Sequence, residues 1–438
     1  MTPRAPAAWP LVGHLPRFGR DPLRFLRSLP VHGELVEVRL PGRRVFVLCH
    51  PEAARRALAD GRTFDRTGPL FDRVRADMGN GLATCPYAEH RRQRLLLRPA
   101  FHRERLDHYA VVMREEAEAL LGRWRHGQVI DVVAAMFGLT VSVAVRTLFS
   151  ARADAATTAA LRRCLDVYLR GSYTRTLLPL SAALPTPANR RFERALAQWR
   201  HYVRQIIAEA RRRPTEGPDL LSALLEARDD AQSGLSEEEL ADQIAVLVLA
   251  GAETTSAALS WTWHLLAAHP RAEAELHAEV DSGRRDPAAL EHTHRVVKES
   301  LRLYPPAWAI PRTITQETVL AGHRLPAGAT LVFSPYVLHH RPDLFPGPER
   351  FRPERWLPGA MDQPARAAFL PFGAGPTRCI GESFALTETT VALTAIAAHW
   401  RLLPLPGRPV RPAARSVLAP RTLPMRLALR GTAVSSGP

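Results

Sequence analysis

Lysine is almost missing from this chain. Lys298 is the only one, so all but one of the 59 basic residues are arginine. The formal charge of +16 suggests nucleic acid at first sight, but the arginines are spread along the chain and form no basic arm. Such a bias looks like the codon usage of a GC-rich genome, and the excess still allows a basic face for an acidic protein partner. Cysteine is scarce too. Cys49, Cys85, Cys164 and Cys379 have no paired spacing, which excludes a zinc module or a disulfide framework and fits a reducing compartment. The first residues, Met1 to His14, contain neither an apolar run of about 18 residues nor a signal-peptide core. A soluble, cytoplasmic protein without a membrane anchor is expected.

Internal repeats and linker-like segments are also lacking. The 438 residues, 46% of them apolar, can bury a large core. One domain over residues 1–438 is expected, with ends frayed at about 1–8 and 431–438. Short β-like runs at Leu35–Leu40 and Val45–Cys49 flank Pro41-Gly42, a hairpin signal. Residues 64–87 read as irregular. A long helical region follows from about 88 to 300, with breaks expected near 171–187 and 213–218. Ser236-Glu237-Glu238-Glu239 is a capping box, opening a helix that can run to about His269 before Pro270. Its middle is apolar almost all round, so it should cross the core. Beyond residue 303 the chain turns proline-rich, with short strands expected at Val319–Leu325 and Thr330–Phe333. The balance is mainly α with small β-sheets.

The most informative segment is Phe372-Gly-Ala-Gly-Pro-Thr-Arg-Cys-Ile-Gly381. Gly373 and Gly375 permit tight turns and close approach to a flat cofactor. An apolar helical pattern starts just after Cys379, so the cysteine sits near a helix N-terminus, where its pKa should fall. A thiolate there suits haem iron, onto which it pushes electron density that favours O–O cleavage. The plainer alternative is a glycine-rich loop around a buried structural cysteine.

A second constellation, Ala250-Gly251-Ala252-Glu253-Thr254-Thr255, lies within the long helix. An acid and two threonines at an apolar helix centre are costly without partners. A threonine bonding back to the carbonyl one turn earlier can bend the helix, leaving a local bulge with room for a water or a diatomic ligand.

The decapeptide resembles the haem loop of the cytochrome P-450 superfamily, F-x-x-G-x-x-x-C-x-G, at Phe372, Gly375, Cys379 and Gly381. Residues 250–255 resemble the family's distal motif. Glu299-x-x-Arg302, Leu303-Tyr-Pro-Pro306 and Phe351-Arg-Pro-Glu-Arg-Trp356 resemble further landmarks in the family's order. The resemblance implies a single-domain fold with haem b between the central helix and the cysteine loop. It implies Cys379 as iron ligand, O2 as cosubstrate, and Glu253 with Thr254 feeding protons to dioxygen. Glu299, Arg302 and Arg355 would form a buried structural triad. His90, Arg94 and Arg312 would bind the haem propionates, while Arg91 and Arg92 read as a solvated basic face. Thr377 departs from the family, which often has a cation there, and the adjacent Arg378 could instead face an electron donor.

The implied activity is insertion of one oxygen atom from O2 into a hydrophobic substrate, the haem carrying the chemistry. No flavin or nicotinamide motif follows Cys379, so a ferredoxin and its NAD(P)H-dependent reductase are the expected electron source. By analogy the pocket takes Leu70, Phe71, Val74, Met78, Leu177, Leu178, Val246, Ala250, Trp308, Ile310 and Leu418, an apolar set that suits a hydrocarbon-like substrate. The stretches Arg20–Leu26 with Val31-His32-Gly33, and His90–His102, resemble a bacterial branch that oxidises sesquiterpenes, so a terpene of secondary metabolism is expected. Fatty acids, steroids and polyketides are the alternative substrates. A peroxide-driven haem enzyme, or a haem sensor or electron carrier, is the alternative of another class; neither needs Glu253 and Thr254.

Overall fold

In the computed structural model, residues 2–150, 154–177, 184–212, 219–284 and 286–431 are described. The architecture is built round one helix, Glu237–Ala268, 32 residues long and therefore about 48 Å from end to end. Its start is fixed by the expected reciprocal cap: the Glu239 amide donates to Ser236 Oγ at 3.1 Å, and the Ser236 amide donates to Glu239 Oε2 at 2.8 Å. Leu240, Ile244, Val248, Leu259 and Leu266 bury its sides in the core. The equally apolar helix Val132–Phe149 packs against it, and Thr140 Oγ1 donates to the Ala252 carbonyl across the pair at 2.8 Å. Both helices are long and apolar enough to cross a membrane, but most of each is buried inside the protein.

The expected bulge at Ala250–Thr255 does not form. Thr254 Oγ1 does bond back to the Ala250 carbonyl, at 2.7 Å, yet the segment stays in one continuous α-helix. The break expected near 171–187 starts later than Gly171, because the helix Ala155–Leu177 runs through that glycine and the next helix opens at Pro187. Gly171 serves close packing: a Cβ would lie 2.5 Å from the Phe192 ring. Residues 178–183 of that break, and the break expected at 213–218, lie outside the described residues.

The main sheet has five strands, ordered Leu35–Leu40, Arg43–Leu48, Thr330–Phe333, Ile310–Ile314 and Phe64–Asp65. The first two form the expected hairpin, with Leu35 opposite Leu48 and Gly42 at φ +65 in the turn. Instead of one strand at Val319–Leu325 there are two, Thr318–Leu320 and His323–Leu325. Ala321 and Gly322 both take positive φ between them, the backbone of a tight hairpin turn. The stretch 64–87 contains a helix, Pro69–Met78, begun by proline at its first position and ended at Gly79 with φ +91. Residues 3–5, within the expected N-terminal fray, are held: the Ala5 amide bonds the Glu37 carbonyl at 3.0 Å, the Glu37 amide bonds the Pro3 carbonyl at 2.8 Å, and Ala5 is buried. Sheet pairing holds this end, which composition could not show. Residues 432–438 of the expected C-terminal fray lie outside the described residues.

Candidate active site

The central helix and the cysteine loop face one cavity of about 570 Å³. Cys379, Phe372, Gly373 and Gly381 line it from the loop, and Val246, Ala250, Gly251 and Thr254 line it from the helix. The loop is a set of nested turns. The Gly373 amide bonds the Leu370 carbonyl at 3.1 Å, the Arg378 amide bonds the Gly375 carbonyl at 3.1 Å, and the Cys379 amide bonds the Phe372 carbonyl at 2.9 Å. Gly375 is required twice over, by φ +67 and because a Cβ would meet the Leu58 carbonyl oxygen at 2.8 Å. Gly373 and Gly251 differ, since a Cβ on either meets no other atom within 4 Å.

The three other cysteines are buried, whereas the exposed surface of Cys379 opens on the cavity. The expectation of a lowered thiol pKa is corrected. Burial pushes the Cys379 thiol up, although the Gly381 amide, Arg94 and Arg378 all pull it down. Desolvation of the charged sulfur wins. A metal that displaces the proton reverses that balance, since thiolate is the ligating form.

Three arginines and a histidine gather at one side of the cavity: Arg66, Arg94, Arg312 and His90. His90 and Arg94 come from one face of the helix Tyr87–Leu97, as their spacing dictates. Arg312 comes from the main sheet, where it pairs with Leu331. Among the described residues no carboxylate forms an ion pair with any of the four. The nearby Asp65 is occupied by the amides of Arg66, at 2.6 Å, and Tyr87, at 2.8 Å. Arg94 donates to the Arg378 carbonyl at 2.7 Å, Arg66 to the Leu82 carbonyl at 2.8 Å, and Arg312 to the Pro311 carbonyl at 2.8 Å. Burial and the neighbouring Arg66 pull Arg312 down to about 9, and burial with the three arginines pulls His90 down to about 4. Buried cations without counter-ions call for an anion. A haem fits these residues: a sulfur ligand on an open apolar face, glycines where a flat group approaches, and cations to meet two carboxylates. Arg66 was not foreseen; no local motif marks it, and only folding brings it to the others.

Thr377 lines the cavity, as does Arg378, whose guanidinium is engaged by Glu382 at 2.6 and 2.7 Å. Arg92 is half-exposed and also ion-paired: it grips Asp229 at 2.8 Å and Glu239 at 2.5 Å, tying its helix to the start of the central helix. Arg91 is exposed, as expected.

Thr254 lines the cavity while Glu253, one residue back, turns toward the C-terminal hairpin. Its Oε1 accepts the hydroxyl of Ser416 at 2.6 Å. Burial pushes the Glu253 carboxyl above its ordinary range, and the Ser416 bond offsets part of that rise.

Behind the loop, Glu299, Arg302 and Arg355 meet. Arg302 makes two bonds to Glu299, at 2.9 and 3.0 Å, and Arg355 adds one at 3.3 Å, with Glu299 and Arg302 fully buried. Trp356 Nε1 also donates to Glu299 Oε2, at 2.9 Å, a partner the motif did not reveal.

Phe71, Val74, Val246, Ala250 and Ile310 line the cavity as expected. Met78, Trp308 and Leu418 do not; they are buried in the core. Met78 packs into the main helical cluster. Trp308 stacks on Phe18 and donates to the Arg415 carbonyl at 2.9 Å, while the Leu418 carbonyl accepts Trp261 Nε1 at 3.0 Å. Leu178 and the side chains of Leu70 and Leu177 lie outside the described part of the structure. Leu82, Ala83 and Thr84 line the wall as well. Gln243 holds that loop, accepting the Leu82 amide at 2.9 Å while donating to Gln93 at 2.9 Å.

The family model for cytochrome P-450 matches residues 3–427. Cyclooctatin synthase of Streptomyces melanosporofaciens is 45% identical over 93% of this chain and 91% of its own length. Cyclooctat-9-en-7-ol 5-monooxygenase of the same organism is 44% identical, over 93% and 90%. Pentalenene oxygenase of Streptomyces avermitilis is 41% identical over 97% of both chains. The crystal structure of the cytochrome P450DA heme domain superposes with a TM-score of 0.86 at 26% identity, covering 98% of each chain. The chain belongs to the cytochrome P-450 family. It is a haem-dependent monooxygenase that uses O2, takes electrons from a redox partner and binds a hydrophobic substrate.

Proposed function

We propose that this cytochrome P-450 oxidises a cyclic terpene in bacterial secondary metabolism, with Cys379 as its iron ligand and Glu253 and Thr254 as its proton relay. The observation that carries the reading is a single apolar cavity lined by Cys379 on one side and by Thr254 on the other. The balanced reaction consumes R–H, O2, two electrons and two protons, and yields R–OH and water. Bound haem supplies the reductive activation of dioxygen. His90, Arg94 and Arg312, joined by Arg66, would hold its propionates. Thr254 presents a hydroxyl to the cavity, and burial raises the pKa of the Glu253 carboxyl, which favours its proton-carrying form. The apolar walls exclude water, so protons must arrive through such groups.

The terpene assignment rests on the names of the relatives, cyclooctat-9-en-7-ol 5-monooxygenase and pentalenene oxygenase, together with an apolar lining that offers hydroxyls but no acid. A rigid hydrocarbon needs shape rather than charge for its placement. The proposed electron donor is a ferredoxin with an NAD(P)H-dependent reductase, and the proposed location is the cytoplasm. The exposed Arg91 and Arg98, on the segment that carries His90 and Arg94, favour an acidic partner there.

The test has three parts. The reduced protein with carbon monoxide should show a strongly red-shifted Soret band, lost in Cys379→Ser. Cyclic terpenes should shift the resting spin state more than fatty acids, steroids or polyketides do. Ferredoxin, reductase and NAD(P)H should support turnover where peroxide does so poorly. An unshifted carbon monoxide band sinks the Cys379 assignment, and efficient peroxide turnover sinks the relay.

A further inference from the structure

The C-terminal hairpin, Pro412–Ala414 with Leu418–Pro420, carries Ser416 at its tip. Two indoles bracket that residue. Trp308 Nε1 donates to the Arg415 carbonyl at 2.9 Å, and Trp261 Nε1 donates to the Leu418 carbonyl at 3.0 Å. Trp261 is itself clamped, its ring stacked on Tyr304 at 3.8 Å between centroids. The backbone adds a third tie, from the Leu418 amide to the Pro306 carbonyl at 2.9 Å. Trp261 and Glu253 stand on the same helix, eight positions and thus about two turns apart, roughly on one face. The helix therefore meets the hairpin at two points, Trp261 to Leu418 and Glu253 to Ser416.

We infer that Ser416 is a positioning residue for the proton relay: its hydroxyl, fixed by the tryptophan-anchored hairpin, holds the Glu253 carboxyl in place at the edge of the substrate cavity. This rests on the monooxygenase reading above, in which Glu253 carries protons. The Ser416 Oγ–H donates to Glu253 Oε1 at 2.6 Å, a bond that strengthens when the carboxylate is ionised. Ser416 also lines the cavity, whereas Glu253 does not. A substrate that fills the cavity therefore contacts the residue that orients the acid. Among the described residues, the titratable group coupled to Glu253 is Tyr168, whose phenol burial, Asp77 and Glu253 itself keep protonated. No basic side chain substitutes for the serine.

The test uses haem-loaded full-length protein with Ser416→Ala and Ser416→Thr. The infrared band of the protonated Glu253 carboxyl, assigned by its loss in Glu253→Gln, is followed against pH. Without the donated bond the titration should move up by about one unit, and Ser416→Thr should restore it. With redox partners and a cyclic terpene, Ser416→Ala should lower product formed per electron pair about tenfold, the missing electrons appearing as hydrogen peroxide. KM should change far less than kcat. An unchanged titration and unchanged coupling in Ser416→Ala would overturn the inference. If that variant fails to load haem, Ser416→Cys keeps the side-chain volume with a weak donor and must show the same upward shift; no shift there overturns the inference as well. Failure of the monooxygenase reading looks different, since wild type itself would then give no product while the infrared titration still reports on Ser416.

Discussion

His339 and Leu370 are joined by a buried bond: the Leu370 amide donates to His339 Nε2 at 3.0 Å. The ring must therefore carry its proton on Nδ1. Burial and Arg302 hold the imidazole far below its ordinary pKa, so it stays neutral. The His339 carbonyl meanwhile accepts Arg302 at 3.0 Å. Leu370 begins the turns that end at Cys379. A continuous path of bonds thus links Glu299, through Arg302 and His339, to the cysteine loop.

Glu299→Ala breaks that path at its source. It leaves Arg302 and Arg355 without their shared carboxylate in the interior, a loss of about 3–5 kcal/mol. Purified variant should contain little haem, read as the ratio of Soret to protein absorbance. Trp356→Phe removes a single bond to the same carboxylate and should cost about 1–3 kcal/mol while haem content stays near normal. Normal haem loading in Glu299→Ala would contradict the structural role of the triad.

Thr254→Ala removes the hydroxyl that faces the cavity from the central helix. Product per electron pair should fall by at least about tenfold, with hydrogen peroxide rising in proportion. Fold and haem content should hold, because the hydroxyl bonds only a carbonyl of its own helix. Full coupling in this variant would remove Thr254 from the relay.

His90 makes stability pH-dependent in the haem-free protein. Its pKa is about 4 in the fold against an ordinary 6.5. The folded value is the lower, so the unfolded chain binds the proton first as pH falls. Stability from neutral His90 is present above about 6.5 and lost as pH falls toward about 4. Denaturant titrations across that window should show roughly 3 kcal/mol of loss that His90→Gln abolishes. Haem loading should flatten the slope in wild type, since propionates favour the protonated ring.

Two glycines should behave oppositely. Gly375→Ala forces a Cβ to 2.8 Å from the Leu58 carbonyl oxygen at φ +67, and should cost about 1–3 kcal/mol with loss of haem. Gly251→Ala meets no atom within 4 Å and replaces glycine within a helix, so the melting temperature should hold or rise. Its methyl should instead weaken binding of the bulkiest substrates, measured by spin-state titration.

Much of this was legible locally. The sequence by itself determined the cap at Ser236, the turn-forming glycines around Cys379 and the pairing of His90 with Arg94 on one helix face. Each depends on a few adjacent residues and on the period of one element. The triad was legible only through resemblance, because an acid and an arginine three apart are usually a surface pair. Tertiary structure alone decided the rest. It drew Arg66 to His90, Arg94 and Arg312, moved Met78, Trp308 and Leu418 out of the cavity wall into the core, and kept the central helix continuous through Ala250–Thr255. It also reversed the direction expected for the Cys379 thiol, since burial outweighs a helix terminus. The meeting of Ser416 with Glu253, 163 positions apart, has no local signal at all. Which side chains share a cavity depends on how helices and hairpins pack, and packing is a property of the whole chain.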